Sequence, residues 1–277
     1  MVGKLINFFC VAIVVTSLLS FSAVRSEKEM KSSVFKVIKV NGRIIFVKTG
    51  EHLNTGDAYV DGTPLEFSTN RDRAAIVNKV RGRYILQPNP KGKAIVLPAT
   101  SNIEPRGVGS VLLNRLDLKN YFSDTCVFIG DVDIVVGQEA FPLDEARFFY
   151  VTYDYKGEKI AKKIRHVNQG LELSEQYLFE IDGKPIPTFN AEMTLYYMKG
   201  DIASKISSFY PLFLNQNDLK QEVAVLLEEL KDLSTDKKLD EVGTYISEFY
   251  GKPQKENLND WLFHNFGLGL VKEINFK

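Results

Sequence analysis

Cysteine is scarce in this chain of 277 residues, which contains only Cys10 and Cys126. Cys10 lies in an apolar N-terminal segment, and once that segment is removed Cys126 would remain alone, so no intramolecular disulfide can form. Cys126 stands in an apolar, strand-like run, without a histidine or basic neighbour that would favour its thiolate. We therefore predict a buried structural thiol, and a fold stabilised by packing rather than by disulfides.

Histidine is equally rare, and the three histidines, His52, His166 and His264, have no spacing typical of zinc ligands. Asp131 and Asp133 place two carboxylates on one face of a predicted strand, but the glycine and glutamate positions of a calcium loop are missing. We interpret these two aspartates as solvated strand charges. The sequence therefore predicts no metal, no cofactor and no identifiable catalytic residue.

Motifs of phosphate binding and nucleophilic catalysis are also missing. Residues 107–110, Gly-Val-Gly-Ser, match neither a P-loop nor the G-x-S-x-G turn. A serine triad or a carboxylate pair assembled from distant residues stays open, because 35 acidic residues always allow a pair to be named. Tyr196 and Tyr197 could stack on a sugar or a peptide, although aromatic residues on strands more often belong to the core.

Charge of neither sign is in excess, since 35 basic residues balance 35 acidic ones. Nucleic-acid binding proteins show a basic excess, so we expect no nucleic-acid partner. Beyond residue 26, no apolar run approaches the length of a membrane-spanning helix. The chain is therefore not expected to be an integral membrane protein after cleavage of its signal.

The first 26 residues have the order of a secretory signal peptide. Lys4 gives a basic start, residues 5–19 form a mostly apolar run, and small residues follow up to Ser26. This run is shorter than the roughly 20 residues that cross a bilayer as a helix. We expect cleavage after Ser22 or Ser26, and an exported protein that is periplasmic or peripheral to the envelope.

The remainder predicts an α+β fold with two domains. Residues 34–97 form a small β-rich domain, resembling a barrel or sandwich, because short branched and aromatic runs alternate with turn signals. The proline- and glycine-rich residues 98–115 form a connector. Residues 116–277 form a β-sheet domain that ends in a helical cluster, with strands to about 199 and helices over about 200–266.

Local patterns predict several individual elements. Asn41-Gly42 is typical of a hairpin turn. Residues 147–155 alternate with apolar side chains on both faces, which predicts a central strand, whereas the lysine-rich residues 158–165 predict an edge strand. Asp218 and Gln221 could form the capping box of a helix. Five residues form the apolar face of that helix: Leu219, Val223, Leu226, Leu230 and Leu233.

Four segments resemble a known module in their order: Val40-Asn41-Gly42, Leu53–Asp57, Leu65–Phe67 and Ala74–Val80. In about residues 36–90 the chain resembles the FecR-like β-module of bacterial envelope proteins, in which a glycine turn, an L-x-x-G-D turn and an alternating strand follow one another. The whole chain also resembles a family of uncharacterised exported proteins of Gram-negative bacteria. The resemblance implies a non-catalytic role in interaction or signalling. The cytoplasmic tail and membrane helix of the signalling regulators are missing, so a sigma-regulator role is not expected.

These observations favour an exported, non-catalytic interaction or assembly protein of the periplasm, with a protein partner in the cell envelope. An enzyme is the less favoured class, and its most plausible form is a metal-independent envelope hydrolase acting on a glycan or a peptide. A glycan-binding or small-ligand-binding module is the third hypothesis. The partner, the pathway and the oligomeric state are left open by the sequence.

Overall fold

The structure is a computed structural model that describes residues 33–89, 94–98 and 111–269. The predicted signal peptide and most of the predicted connector lie outside these residues. The described chain contains strands, with helices concentrated towards its C-terminal end. The predicted α+β class, with β-rich parts followed by a helical cluster, is confirmed.

The described elements are given in chain order. The strands are β1 (Val34–Asn41), β2 (Ile44–Phe46), β3 (Ala58–Val60), β4 (Leu65–Phe67), β5 (Arg73–Asn78), β6 (Gly82–Pro88), β7 (Ala94–Pro98), β8 (Val111–Leu112), β9 (Asp124–Ile129), β10 (Val132–Val136), β11 (Arg147–Tyr155), β12 (Glu158–Lys163), β13 (Arg165–Val167), β14 (Gly170–Leu173), β15 (Glu180–Ile181), β16 (Lys184–Pro185), β17 (Met193–Lys199) and β18 (Ile202–Leu214). The helices are α1 (Arg115–Tyr121), α2 (Glu175–Leu178), α3 (Gln216–Glu229), α4 (Thr235–Phe249) and α5 (Lys255–Phe266).

The chain divides into two compact units, and the first runs to residue 99 and takes in Glu222–Lys231. Its main sheet has the antiparallel order β3-β1-β5-β6-β7, and β2 pairs with β4 in a separate two-stranded sheet. Alternate side chains of these strands enclose one core, in which Phe35, Ile76 and Leu86 are fully buried. Within this unit the Lys39 ammonium forms an ion pair with Glu222 at 2.8 Å.

The Asn41-Gly42 turn is present, but the hairpin predicted from it is wrong. β1 pairs with β3 and β5, whereas β2 pairs only with β4 among the described strands. Gly42 has a φ of +87°, and a Cβ atom at this position would collide with the Asp72 carboxylate. Glycine is therefore needed here for a left-handed turn against a close neighbour, and the turn sends the chain to another sheet rather than back along β1.

The second unit contains residues 100–221 and 232–277. Its larger sheet has the order β12-β11-β17-β18-β9, and a four-stranded sheet has the order β13-β14-β10-β8. β11 lies inside the larger sheet and β12 lies at its edge, as the alternation of aromatic and lysine residues predicts. Phe149 and Val151, on one face of β11, are fully buried, whereas Phe148 and Tyr150 on the other face remain partly exposed.

The expectation that helices begin near residue 200 is wrong, because β18 occupies Ile202–Leu214. Its first half pairs with β17 across a tight turn and its second half pairs in parallel with β9. Pairing with distant strands decides the conformation of this segment, and a local pattern does not contain that information. The C-terminal helical cluster therefore begins at Gln216.

The helix predicted from the apolar stripe is α3, although the predicted capping box is not its cap. The Asn215 side chain accepts hydrogen bonds from the backbone N–H groups of Asn217 and Asp218, at 2.9 and 3.2 Å. Asparagine is among the residues that cap helix N-termini best, and it stands three residues before the predicted position.

Candidate functional site

One face of α5 carries two parallel rows of polar and aromatic side chains. Residues four apart in a helix are stacked above one another, so each row forms a ridge along the axis. The first ridge is Glu256, Asp260 and His264, and the second is Asn257, Trp261 and Asn265. Together with the end of β9 and with β10, these ridges line a groove of about 440 Å³ within the second unit.

The start of α5 is fastened to the edge of β9 by the amide of Asn257. Its Oδ1 accepts the Ile129 N–H at 2.8 Å, and its Nδ2 donates to the Ile129 carbonyl at 3.0 Å. Just before the helix, Pro253 forms an isolated parallel bridge with Val127. These contacts satisfy backbone groups that an edge strand would otherwise leave unpaired, and they fix the helical wall of the groove against the sheet.

Gly130 and Gln216 also line the groove, where β9 turns towards β10. Gly130 has a φ of +71°, and a Cβ atom there would overlap the side-chain amide of Gln216. A glycine is thus required both by the backbone and by the close approach of Gln216. This approach brings the Gln216 amide into the lining next to Asp131.

Four carboxylates give the groove a negative lining: Asp131, Asp133, Glu256 and Asp260. Among the described residues, no lysine or arginine lines the groove. Its lining also contains the His264 imidazole, whose Nδ1 lies 2.7 Å from the Asp260 carbonyl. Charges of one sign in a concave surface add their fields and attract ligands of opposite charge. In residues 33–89, 94–98 and 111–269 no cluster of three or more His, Cys, Asp or Glu side chains could hold a metal ion.

Trp261 adds an aromatic surface and a hydrogen-bond donor. The residue is 6% exposed, and its indole ring meets Phe266 edge-on with centroids 5.7 Å apart. Its Nε1–H is buried and has no hydrogen-bond partner within the described structure. A buried polar group without a partner costs about 1–3 kcal/mol, so this N–H lowers the stability of the groove wall.

Tyr121 closes the inner end of the groove as a neutral phenol. Burial raises the pKa of Tyr121 far above its ordinary value, and the negative charges that Cys126 and Glu256 can carry raise it further. The Cys126 thiol itself is fully buried, and its Sγ lies 3.2 Å from the Tyr121 carbonyl. The predicted structural role of Cys126 is in agreement with this environment, and the thiol is not part of the groove lining.

The structure separates some of the sequence candidates and brings others together. Asp131, Asp133 and His264 line the same groove, whereas His52 lies in the first unit and His166 on β13. Tyr197 is buried and donates a hydrogen bond to the Pro142 carbonyl at 2.8 Å. Residues 107–110 lie outside the described residues.

Glu256, Asp260 and Asn257 were not among the candidate residues predicted from the sequence. Glu256, Asp260 and His264 are spaced four residues apart, as are Asn257 and Trp261, and this spacing is a sequence signal that they share one helix face. What the spacing does not contain is the partner of that face, because β9 and β10 lie more than 100 residues earlier in the chain. Asp131 and Asp133, which the sequence analysis interprets as solvated strand charges, are exposed in the structure and also line the groove.

Comparisons with known proteins give no identification. No protein-family model matches the chain, and no curated protein matches it. One solved structure that matches is the crystal structure of Dscam1 isoform 7.44, N-terminal four Ig domains, with 9% sequence identity and a TM-score of 0.19. The match covers 65% of this chain and 44% of that one, so the chain spans less than half of that structure's length. So low a TM-score carries no argument about fold or function.

Within residues 33–89, 94–98 and 111–269, no helix combines the length and the apolar character that crossing a bilayer requires.

Proposed function

We propose that this protein is an exported, non-catalytic binding protein of the cell envelope that captures a basic segment of a partner protein in the α5 groove. The observation that carries the proposal is the charge of the lining, to which the part of the chain that the structure describes contributes four carboxylates and neither lysine nor arginine. Support for export comes from the signal-like N-terminal segment of the sequence.

A basic peptide fits this lining better than a bare cation does. Lysine and arginine side chains form charge-assisted hydrogen bonds with carboxylates, such as those of Asp131 and Asp260. A bare metal ion would need a cluster of ligating side chains, and no such cluster occurs in residues 33–89, 94–98 and 111–269. An anionic ligand would be repelled by the same lining, so nucleic acid and acidic glycans are disfavoured.

The test is isothermal titration of the purified protein with a 12-residue oligolysine peptide. The variant Asp131→Asn/Asp133→Asn/Glu256→Gln/Asp260→Asn removes four charges while preserving shape. We expect its affinity to fall roughly hundredfold at low salt, as four weakened ion pairs would predict. A matched control removes four exposed charges of the same unit that lie elsewhere: Glu145→Gln, Glu158→Gln, Asp182→Asn and Asp201→Asn.

The outcome separates a specific groove from general charge attraction. Affinity that falls only in the groove variant supports the proposal. Equal losses in both variants, or no binding by the unaltered protein, would contradict it.

A metal-independent hydrolase is the second candidate function. Its supporting observation is that carboxylates face the groove from both walls, with Asp131 and Asp133 on the strand side and Glu256 and Asp260 on the helix side. Glycoside hydrolysis uses two such carboxyl groups as acid and base or nucleophile. Turnover of envelope glycans or peptides by the unaltered protein, abolished in the four-residue groove variant but not in its control, would replace binding with catalysis as the function.

A further inference from the structure

A transverse row of four side chains crosses the larger sheet of the second unit on the face opposite its core. Lys163 is the register partner of Tyr150, Tyr150 is the partner of Tyr196, and Tyr196 is the partner of Lys205. Neighbouring strands lie about 4.8 Å apart, so the row spans roughly 14 Å. We call it the Lys-Tyr-Tyr-Lys row.

The two tyrosines of the row stack on each other. Their ring centroids lie 5.0 Å apart and their planes differ by 10°. Burial raises the pKa of Tyr150, and the neighbouring Tyr196 raises it further. Since side chains stand roughly perpendicular to a sheet, the phenol hydroxyls are the outermost atoms of this pair and act as hydrogen-bond donors.

The two neighbouring rows on this face of the sheet are uncharged, whereas Arg165 and Glu172 line a pocket with Lys163 at one end of the row and Arg115 donates to the Lys205 carbonyl at the other. One neighbouring row consists of small side chains: Ala161, Thr152, Thr194 and Ser208. The other neighbouring row is apolar, with Phe148, Met198 and Ala203. The face therefore offers a shallow trough of small residues on one side of the tyrosines and an apolar strip on the other.

The two ammonium groups are available to a ligand. Within the described structure no carboxylate forms an ion pair with Lys163 or Lys205, and both residues are exposed. The nearest acidic side chain along the same face of β11 is Asp154, whose register partner is Lys159. The row with its two neighbouring rows thus carries two positive charges and no negative one.

The aromatic geometry favours a peptide over a sugar. Sugars bind aromatic residues through open ring faces, but Tyr150 and Tyr196 cover one face of each other. The Lys163 Nζ also lies 4.2 Å from the centre of the Phe148 ring, over its face. The row therefore presents hydrogen-bond donors, namely two ammonium groups and two phenol hydroxyls, beside apolar side chains.

We infer that the Lys-Tyr-Tyr-Lys row is a docking surface for an acidic segment of a partner protein. Its carboxylates accept hydrogen bonds from Lys163, Lys205 and the tyrosine hydroxyls, and its apolar side chains pack on Phe148 and Met198. This surface is separate from the groove and selects ligands of the opposite charge.

The experiment measures the fluorescence anisotropy of a labelled 12-residue oligoglutamate peptide titrated with the purified protein at low salt. The variant Lys163→Glu/Lys205→Glu is expected to bind at least about tenfold more weakly. Tyr150→Phe/Tyr196→Phe, which keeps the stacked rings and removes both hydroxyls, is expected to lose about threefold to tenfold. The control Lys184→Glu/Lys220→Glu makes the same change of charge at two other exposed lysines and should stay within about twofold.

Two further arms separate the alternatives. The four-residue groove variant should bind oligoglutamate at least as well as the unaltered protein, so a failure of the groove proposal leaves this one standing. Heparin serves as the anionic glycan. Binding of heparin without binding of oligoglutamate, absence of oligoglutamate binding, or equal losses in the row variant and its control would each overturn the inference.

Discussion

The groove and the Lys-Tyr-Tyr-Lys row belong to the same compact unit but are built in different ways. The row arises from the register of four neighbouring strands, β12, β11, β17 and β18. The groove arises where α5 meets β9 and β10, which precede it by more than 100 residues. One surface therefore depends on the register of strand pairing and the other on the docking of a helix against strands.

The difference teaches which part of a functional surface can be read from a sequence. Alternation along β11 places Phe148 and Tyr150 on one face and Phe149 and Val151 on the other, and this division was predictable. No local pattern connects Asp131 with Asp260, because their proximity depends on the docking of α5 through Asn257. Substitutions in the shared core, at the helix docking contact and in the row should therefore affect the two surfaces differently.

Phe149→Ala should weaken both surfaces together, because it removes a shared support. Phe149 is fully buried behind Tyr150 and packs on Phe141 and Tyr197, with centroids 5.4 and 4.8 Å away. We expect the free energy of unfolding to fall by about 3–5 kcal/mol. Urea denaturation measures the change, and a loss below about 1 kcal/mol would mean that this core does not support the sheet.

Asn257→Ala should weaken the groove and spare the row. It removes two hydrogen bonds to Ile129 and leaves both backbone groups to find other partners. We expect a loss of about 1–3 kcal/mol in unfolding free energy, together with weaker binding of oligolysine. The control is Asn259→Ala on the same helix, which does not line the groove and should change stability by less than about 0.5 kcal/mol. Equal loss of oligoglutamate binding would show that the two surfaces are not independent.

Gly130→Ala and Gly157→Ala form a matched pair. Both glycines have a positive φ, +71° and +85°, so each alanine should cost about 1–2 kcal/mol of stability. Only at Gly130 would the new Cβ atom meet a neighbour, the flexible Gln216 amide. Thermal or urea denaturation should therefore give similar losses, whereas oligolysine binding should weaken in Gly130→Ala alone. Equal binding by the two variants would show that Gln216 does not shape the groove.

The free energy of unfolding should fall at alkaline pH, and Tyr150 of the row should contribute a small part of this fall. Burial raises the pKa of Tyr121, Tyr153 and Tyr197 as well as that of Tyr150. The unfolded chain therefore releases these protons first, so stability is complete below about pH 10 and is lost as the pH rises further. Tyr150→Phe should make this decline slightly less steep in denaturation curves measured from pH 9 to 11. Stability that increases over this range would contradict the assignment.

The sequence predicted much of the fold and little of the site, for physical reasons that individual residues illustrate. The α+β class, the aromatic central strand β11 and the lysine-rich edge strand β12 follow from period-two patterns. The capping box formed by Asn114 and Asp117 is a sequence signal that predicts the helix α1. No local sequence signal predicts the strand β18, because its conformation is fixed by pairing with β9 and β17. Predicting the groove and the row would have required both the tertiary fold and the register of the strands.

The most direct test uses the single tryptophan of the chain as a reporter, because Trp261 lines the groove. Oligolysine is titrated into the purified protein while the tryptophan emission is recorded, and oligoglutamate is titrated in parallel. The proposed function predicts a saturable change in emission with oligolysine that salt reverses, no such change with oligoglutamate, and loss of the response in the four-residue groove variant. An emission spectrum that oligolysine leaves unchanged, or that both peptides change alike, would contradict it.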